Sequence, residues 1–353
     1  MAATAQLKTI NDPFSEAVVG ERLAALLSQR NGSATRIEGL RRFTVGFSWL
    51  TYGFRASWND GAGAQARDLI LRIGPPDGLF APYKASTEFF ALQALEHSGV
   101  PVPKVYWHSD SHAEFGAPFF ICERVRGEAP IPWSADGGEV FSDAVREGLA
   151  EQFVAGLAAL HRFDWRGTPV AAGQDVRVDN AAARQIEFWD DTVARSGLRR
   201  FPAVAWALAW LRANQPVAPK VSIVHGDYRI GNFLEQDGRI TAILDWELVH
   251  LGDPHEDIGF ICLRAWSGRS PYLCQLIRRE DLYRRYQELT GMAVDPAAVR
   301  YYEVLNNFKL FAIHAAAAGC FEAGRFNDLR MPAMGAQIPR LLLQLEKMIE
   351  GLA

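Results

Sequence analysis

The sequence predicts an α+β protein of two lobes, in which a small antiparallel sheet precedes a larger, mostly helical region. The first third of the chain alternates short β-rich runs with turn residues. After Gly127 the pattern changes to long segments with apolar residues at helical spacing. The chain has 353 residues, more than one hydrophobic core usually serves. We therefore predict a first domain over residues 1–125 and a second over residues 126–353.

The first lobe is predicted to begin with a helix and to continue as strands. Asp12-Pro13 is typical of a helix start, and Asn31-Gly32 of a helix end. A second helix is expected over about residues 84–97, closed by Ser98-Gly99. Strands are predicted over 36–44, 50–58 and 68–73, and on both sides of 109–116, the last of them over 117–125.

The second lobe follows a Pro/Gly-rich link over residues 129–138. One β-rich insert, Val221 to Leu244, interrupts it. Helices are predicted over 140–161, 180–196 and 202–214, and from about Pro254, Arg279, Pro296 and Pro332.

Composition excludes several classes of protein. The formal net charge is −4 and no Lys/Arg run is present, so we expect no nucleic-acid partner. The four cysteines have no metal-ligand spacing, which favours a reducing compartment. No signal-peptide pattern is visible, and the longest apolar run, Leu310 to Phe321, is too short to span a bilayer. We expect a cytoplasmic protein without a membrane span.

The residues that predict chemistry lie in and after the β-rich insert. An apolar strand leads to His225, a turn presents Asp227, and four residues separate it from Asn232. A second apolar strand leads to Asp245. Phosphoryl transfer needs a carboxylate that orients the acceptor hydroxyl and oxygen ligands that hold Mg²⁺ against the phosphates. Asp227 suits the first role, and Asn232 and Asp245 suit the second.

Context gives this pattern its weight. Asp-x-x-x-x-Asn alone should occur roughly once by chance in a chain of this length. The preceding His-Gly, the flanking strands and the second acidic residue make it specific. The alternatives are a surface hairpin with turn-forming residues and zinc hydrolysis, in which His225 and Asp227 would pair with His250 or His255. Zinc would leave Asn232 without a role.

The stretch His225-Gly-Asp-Tyr-Arg-Ile-Gly-Asn232, followed by Asp245-Trp-Glu247, resembles the aminoglycoside phosphotransferase and choline kinase-like superfamily. The greatest likeness is to the phosphotransferase domain that precedes some acyl-CoA dehydrogenases. The resemblance implies a protein kinase-like fold, Asp227 as the catalytic residue, and Asn232 and Asp245 as Mg²⁺ ligands. It also implies ATP as co-substrate, with GTP as the other possibility. Gly252-Asp-Pro254 and Asp257 match the segment that follows in the family.

A kinase-like site also needs a cation on the phosphates and an anion that positions it. Arg72, at the end of a strand and before Pro75-Pro76, stands where kinases place their lysine. Its guanidinium can bind phosphate oxygens bidentately. Glu88, on the next helix, matches the ion-pair glutamate of the family. A solvent-exposed arginine and a solvated glutamate are the alternatives.

The remaining nucleotide contacts are predicted from position. The phosphate-covering loop would be Val45 to Thr51, with Ser48 and backbone amides as phosphate donors. This loop departs from the family pattern, because Trp49 occupies the position of an asparagine. Backbone groups of Glu123 and Val125 would face the adenine.

The predicted activity is transfer of the nucleotide γ-phosphate to a hydroxyl of a small molecule. The aromatic residues between Tyr301 and Arg325 favour an apolar acceptor pocket and a lipid-like or polyketide-like acceptor. Two alternatives stay open: a nucleotide-binding module without turnover, and a protein kinase. Against the protein kinase, the chain has no Ala-Pro-Glu anchor after Asp245. The acceptor, the choice between ATP and GTP, and the oligomeric state are not fixed by the sequence.

Overall fold

The computed structural model describes residues 12–43, 46, 48–61, 63–131, 140–199, 201–325 and 328–351. It separates into two compact units: residues up to Ser86 with Val105–Arg124, and Thr87–Lys104 with Val125 onwards. The predicted division at residue 125 differs from this grouping in one segment, 87–104. That segment groups with the helical unit, where the Ile243 amide donates to the Pro101 oxygen at 2.7 Å. As a domain boundary, residue 125 stays a prediction.

The first unit is built on a five-stranded antiparallel sheet of order β1-β2-β3-β5-β4. Its strands are β1 (Arg36–Phe43), β2 (Leu50–Asp60), β3 (Gly63–Ile73), β4 (Val105–Ser109) and β5 (Phe119–Glu123). Helix α1 (Glu16–Asn31) begins at Ser15, whose hydroxyl accepts from the Val18 amide, and ends at Gly32. One face of α1 is buried with alternate residues of β2 and β3, which form a single core. Helix α2 (Ala85–Leu95) follows β3, and all of it after Ser86 belongs to the second unit.

The predicted strands of this unit are confirmed, with one longer than expected. Strand β3 begins five residues before the predicted start at Asp68, because β2 and β3 pair along their whole length to Asp60 and Gly63. The Gly/Ala-rich stretch between these two predicted strands, residues 59–66, is therefore mostly strand. Its small side chains have low β-propensity, so the sequence pattern did not predict a strand there.

The second unit is mostly helical and is organised around one long helix. Helix α8, Pro296–Glu322, packs against five others. It begins at Asp295, whose carboxylate accepts from the Ala297 amide at 2.9 Å. The other helices are α3 (Asp143–Arg162), α4 (Ala181–Arg195), α5 (Pro202–Ala213), α6 (His255–Ile261), α7 (Arg279–Thr290), α9 (Arg330–Gly335) and α10 (Ile338–Ile349).

Two sequence expectations for this unit change. The helix predicted from Pro332 is two helices, α9 and α10, and α10 starts with Pro339 in its first turn. Helix α8 is long and apolar enough to cross a membrane, although the predicted apolar run was shorter than a span. Since 83% of its most apolar stretch is buried inside the protein, it has the character of a core helix.

The β-rich insert forms two small sheets instead of one strand–loop–strand hairpin. Strand β6 (Ser222–Val224) pairs with β9 (His250–Gly252), and β7 (Phe233–Gln236) pairs with β8 (Arg239–Ile243). Strand β9 was not predicted, because three residues are too few to show an alternating pattern. The loop from β6 to β7 contains Asp227, and Asp245 lies two residues after β8.

Candidate active site

His225 holds the loop between β6 and β7 in place. Its Nε2 lies 2.9 Å from the oxygen of Leu244, and its Nδ1 accepts from the amide of Asp227 at 3.1 Å. A carbonyl only accepts, so Nε2 carries the proton and the imidazole is neutral. Burial lowers the pKa of His225 and favours this neutral form. The side chain thus braces the loop through both of its ring nitrogens.

The structure brings Asp227, Asn232 and Asp245 together. The side-chain amide nitrogen of Asn232 donates to the main-chain oxygen of Asp227 at 2.9 Å and also to its carboxylate. The amide of Leu244 donates to the main-chain oxygen of Asn232 at 2.7 Å, which places the next residue, Asp245, beside the loop. Asp245 has the left-handed conformation, φ 65° and ψ 57°. Such a conformation is uncommon outside glycine, although aspartate adopts it more readily than most residues, and residues held in it cluster at functional sites.

Asp227 also has a cationic partner that sequence reasoning missed. The Nε of Arg229 donates to Oδ1 of Asp227 at 3.0 Å, and its second terminal nitrogen lies 3.3 Å from Oδ2. The same guanidinium lies 4.5 Å from the ring centroid of Trp266. Burial raises the pKa of Asp227 and the charge of Asp245 raises it further, whereas Arg229 opposes both. The sequence did contain a signal for this pair. Arg229 stands between two apolar loop residues, where a charged side chain needs a partner.

Asp257, on α6, binds the backbone that leads into Asp227. Its carboxylate accepts from the amides of His225 and Gly226, each at 2.8 Å, and Nε2 of His161 lies 3.1 Å away. Burial works to raise the pKa of Asp257, but the hydrogen bond and charge of His161 and the contacts with His225 outweigh it and lower the pKa. The carboxylate therefore stays ionised and fixes two consecutive peptide groups.

Lys309, buried in α8, holds the same loop from the carbonyl side. Its Nζ donates to the oxygen of Gly226 at 2.9 Å and to Oε1 of Glu256 at 2.7 Å. Burial works to raise the pKa of Glu256, but Lys309 and His250 lower it to about 2. The sequence gave no assignment to Lys309, although a lysine inside an apolar helix indicates a buried anion.

His250 completes this buried group of charges. Its Nε2 lies 3.1 Å from Oε2 of Glu256, and its Nδ1 lies 2.8 Å from the oxygen of Leu248. Both neighbours are acceptors only, so both ring nitrogens carry a proton and the ring is charged. Burial works to lower the pKa of His250, but Glu256 outweighs it and raises the pKa. We call Lys309, Glu256 and His250 the charge triad.

Gly226 shows why the loop needs this support. Its φ is +82°, and a Cβ at this position would lie 2.7 Å from the oxygen of Leu248. Only glycine fits there without displacement of the backbone. The left-handed turn at Gly226 points Asp227 away from strand β6, and Asp257 and Lys309 fix that turn by its amide and its carbonyl.

In the first unit, Arg72 lies on β3 among aromatic rings. Its guanidinium is 5.4 Å from the ring of Trp49 and 5.7 Å from that of Phe120. The departure at Trp49 therefore provides a cation–π partner for Arg72. Ser48 is buried, and its main-chain oxygen accepts from the Tyr83 hydroxyl at 2.9 Å. The phosphate contacts of Arg72 and Ser48 stay predictions, and Val45 and Phe47 lie outside the described residues.

The other predicted nucleotide residues have mixed environments. Glu88 on α2 is 3% exposed, so it is not the solvated helix glutamate of the alternative interpretation. Glu123 is exposed at the end of β5, where it pairs with Leu69 of β3. Val125 follows as a half-buried residue at the start of the second unit's main segment. Their contacts with a nucleotide stay predictions.

The donor atoms around Asp227 fit magnesium better than zinc. Within the part of the chain that the structure describes, no three His, Cys, Asp or Glu side chains form a metal-binding group. Asn232 uses its nitrogen on Asp227, so its side-chain oxygen is the atom suited to a metal. Mg²⁺ takes oxygen ligands, and it is commonly bound by one or two protein groups together with waters and phosphate oxygens. Asn232 and Asp245 provide this donor set.

The aromatic residues of α8 do not form the expected acceptor pocket. Tyr301, Tyr302, Phe308 and Phe311 are all at most 3% exposed. The ring of Tyr301 stacks on that of Trp210, with centroids 6.0 Å apart. These rings pack the core of the helical unit, so the prediction of an apolar pocket walled by them is wrong. Their helical spacing is common to core residues and ligand-lining residues, and only burial separates the two.

Comparison with known proteins gives the same answer for fold and family. Residues 46–289 match the model of the phosphotransferase enzyme family. The chain is 28% identical over 219 residues to acyl-CoA dehydrogenase family member 10 of Mus musculus, which covers 61% of this chain. The match spans only 20% of that relative, so the whole relative's activity does not transfer to this chain.

Two solved structures share the fold. A candidate aminoglycoside phosphotransferase from Ralstonia eutropha has a TM-score of 0.70 and 21% identity, over 94% of this chain and 98% of its own. A variant of the aminoglycoside phosphotransferase APH(4)-Ia, in ternary complex with ADP and hygromycin B, has a TM-score of 0.53 and 19% identity, over 93% and 98%. The predicted α+β, kinase-like fold and the predicted resemblance are confirmed.

Proposed function

The chain belongs to the phosphotransferase enzyme family, and on that premise we propose that it transfers the γ-phosphate of ATP to a hydroxyl of a small molecule. GTP is the alternative phosphate donor. The observation that carries the proposal is the convergence of Asp227, Asn232 and Asp245 on a loop fixed by buried charges. Each of these three side chains has a separate role in phosphoryl transfer.

Asp227 is the proposed catalytic residue. Its carboxylate accepts a hydrogen bond from the acceptor hydroxyl and takes the proton late, because a carboxylate is too weak a base to ionise an alcohol beforehand. Burial raises its pKa and strengthens it as a base. Arg229 and Asn232 bind the carboxylate and fix its orientation.

Asn232 and Asp245 would hold magnesium through their side-chain oxygens. When bound, the metal neutralises charge on the phosphate oxygens during transfer. Arg72 is proposed as the cation on the α- and β-phosphates. Four further residues are proposed for nucleotide binding: Ser48, Glu88, Glu123 and Val125.

The relatives support a nucleotide and a small acceptor. The APH(4)-Ia structure holds ADP and hygromycin B, which is a property of that protein. The name of the Mus musculus relative includes acyl-CoA dehydrogenase, so hydroxylated acyl compounds belong in an acceptor panel beside hygromycin B.

The proposal is tested with Asp227→Asn against an acceptor panel scored for nucleotide consumption. We expect turnover to fall about 10²- to 10⁴-fold, the usual contribution of general-base catalysis, while Mg-ATP affinity changes little. Asp237→Asn is the matched control, because Asp237 is exposed on the β7–β8 turn and its φ of 53° is tolerated by asparagine. The control should keep wild-type turnover.

Two outcomes would contradict the proposal. Wild-type protein that binds Mg-ATP, yet transfers phosphate to no acceptor and hydrolyses no ATP, would favour a silent nucleotide-binding module. Strong labelling of protein substrates from labelled ATP would favour a protein kinase.

A further inference from the structure

A strongly basic stretch follows α6. Between Ile258 and Arg279 the chain has no aspartate or glutamate but has four arginines. We call residues 263–279 the basic segment. Its arginines are Arg264, Arg269, Arg278 and Arg279. The rest of the chain mixes both signs of charge. The positive charge of the basic segment should therefore favour anionic ligands beside it.

The basic segment lies next to the proposed catalytic residue. The ring of Trp266 contacts the guanidinium of Arg229, which in turn binds the carboxylate of Asp227. Cys274 is buried in the same segment, and the charges of Arg229 and Asp227 both act on its thiol. A molecule that presents a hydroxyl to Asp227 therefore has the basic segment as a neighbour.

Three of the four arginines lack an anionic partner. Arg279 pairs with Glu303 at 2.5 Å. Arg264, Arg269 and Arg278 are exposed and form no salt bridge with any residue in the described ranges. Arg264 donates to the main-chain oxygen of Ser270, which leaves its charge uncompensated.

Some exposed arginines elsewhere in this unit are paired: Arg177 binds Asp175, Arg195 binds Asp191, and Arg284 binds two carboxylates. Others, such as Arg184 and Arg340, form no salt bridge within the described residues. The basic segment differs in having three such arginines and no aspartate or glutamate within its 17 residues. It fits an anion that is bound during function.

The basic segment contains two residues in an uncommon backbone conformation. Cys274 and Gln275 have consecutive positive φ values of 50° and 62°, a strained arrangement for residues other than glycine. The side chain of Gln275 fixes it by donating to the main-chain oxygen of Ser267 at 2.9 Å. Two buried polar atoms in this segment, Nε1 of Trp266 and Oγ of Ser267, have no hydrogen-bond partner among the described residues. Ser267 is only 1% exposed, and an unpaired buried group of this kind needs a partner, such as a water molecule or a ligand.

Resting on the proposed phosphotransferase function, we propose that the basic segment is the acceptor subsite, and that the acceptor carries a carboxylate or phosphate besides its hydroxyl. Arginine side chains bind both groups through charge-assisted, often bidentate hydrogen bonds. Trp266 Nε1 and Ser267 Oγ supply further donors. A polycationic acceptor such as an aminoglycoside meets like charge here and is a poor substrate.

The test uses acceptor pairs that differ only in the anionic group. They are 3-hydroxybutanoate against its methyl ester, and glycerol 3-phosphate against glycerol, with hygromycin B as the cationic acceptor. We expect the anionic member of at least one pair to have a kcat/KM about tenfold or more above its neutral partner, the scale of one charge-assisted hydrogen bond. Which pair responds distinguishes a carboxylate from a phosphate ligand.

Arg264→Gln with Arg269→Gln should raise the KM for the anionic acceptor about tenfold or more and leave the KM for ATP unchanged. Arg340→Gln, an exposed arginine on α10, is the matched control and should behave as wild type. Equal effects on neutral and anionic acceptors, or none, would overturn the subsite while Asp227-dependent transfer still supported the proposed function.

Binding without turnover separates the two proposals. In the Asp227→Asn protein, titration calorimetry should show that the anionic acceptor binds and that the double arginine substitution weakens it. If neither anion binds, the subsite is wrong whatever the turnover shows. If an anion binds through these arginines but no acceptor is ever phosphorylated, the proposed function fails and the anion site stands.

Discussion

Lys309→Met is a direct test of how buried charges hold the catalytic loop. Lys309 and Glu256 are both fully buried, and the lysine also binds the oxygen of Gly226. Methionine matches the lysine stem in length but removes the cation and both hydrogen bonds. Among the described residues, the Glu256 carboxylate then keeps His250 as its partner.

The magnitude follows from the pKa of Glu256. Its fall from the ordinary 4.5 to about 2 corresponds to roughly 3 kcal/mol of net stabilisation of the carboxylate in the folded state. Breaking a buried ion pair by removal of one partner typically costs about 3–5 kcal/mol. We therefore expect Lys309→Met to lower the free energy of unfolding by about 3 kcal/mol at pH 7, measured by urea denaturation. Lys347→Met, at an exposed lysine on α10, should change it by less than about 0.5 kcal/mol.

The effect should depend on pH in a defined direction. Because the folded-state pKa of Glu256 lies below its ordinary value, the stability it contributes is fully present above about pH 4.5 and is lost as the pH falls towards 2. The difference between wild type and Lys309→Met should therefore shrink on acidification through this window. A difference that grew there would contradict the assignment.

A double-mutant cycle isolates the pair. Lys309→Met with Glu256→Gln leaves no buried charge unpaired between these positions, so the double variant should be more stable than Lys309→Met alone. Simple addition of the two single effects would refute the reasoning. Turnover should fall in Lys309→Met even where the protein is folded, because Gly226 loses its carbonyl partner, whereas the KM for ATP should change little.

Two further predictions concern the same loop. In ¹⁵N NMR, both ring nitrogens of His250 should be protonated at pH 6.5, since Glu256 raises its pKa; the stability from this charge is present below pH 6.5 and lost as the pH rises through the raised pKa. A neutral ring at pH 6.5 would contradict the charge triad. Gly226→Ala should cost about 1–3 kcal/mol because its φ is +82° and its Cβ would meet the backbone of Leu248. It should also abolish turnover, whereas unchanged kcat would show that this turn does not position Asp227.

The sequence predicted the local elements well because their causes are local. Periodicity, caps and turn residues indicated α1, the start of α8 and the strands of the first sheet. The exceptions are the start of α1, which lies at Ser15 and not at Asp12-Pro13, and the early start of β3. The proposed catalytic loop was found for a related reason, since Asp227, Asn232 and Asp245 lie within one stretch of the chain. Its bracing by His225 was also predictable, because the imidazole directly precedes the turn it supports.

The residues that were missed act over long separations in the chain. Lys309 is 83 residues from Gly226, and His161 is 96 residues from Asp257. Nothing in local pattern identifies such partners; the only sign is a charged residue where an apolar one is expected. The incorrect prediction of an aromatic pocket in α8 has a different cause. Residues that pack a core and residues that contact a ligand show the same periodic pattern in the sequence.

The placement of Glu256 and Asp257 side by side in α6 explains why so much charge is buried beneath one turn. Asp257 accepts from the amides of His225 and Gly226, while Glu256 holds the lysine that donates to the Gly226 carbonyl. One short helix therefore controls the two successive peptide groups that flank the Cα of Gly226. Apolar packing stabilises without direction, whereas these hydrogen bonds fix orientation, which the proposed role of Asp227 towards an acceptor hydroxyl requires. Burying these charges costs desolvation free energy, and in return their hydrogen bonds fix the geometry of the loop. Variants that remove both partners of a pair should therefore lose little folding stability but much of the proposed turnover.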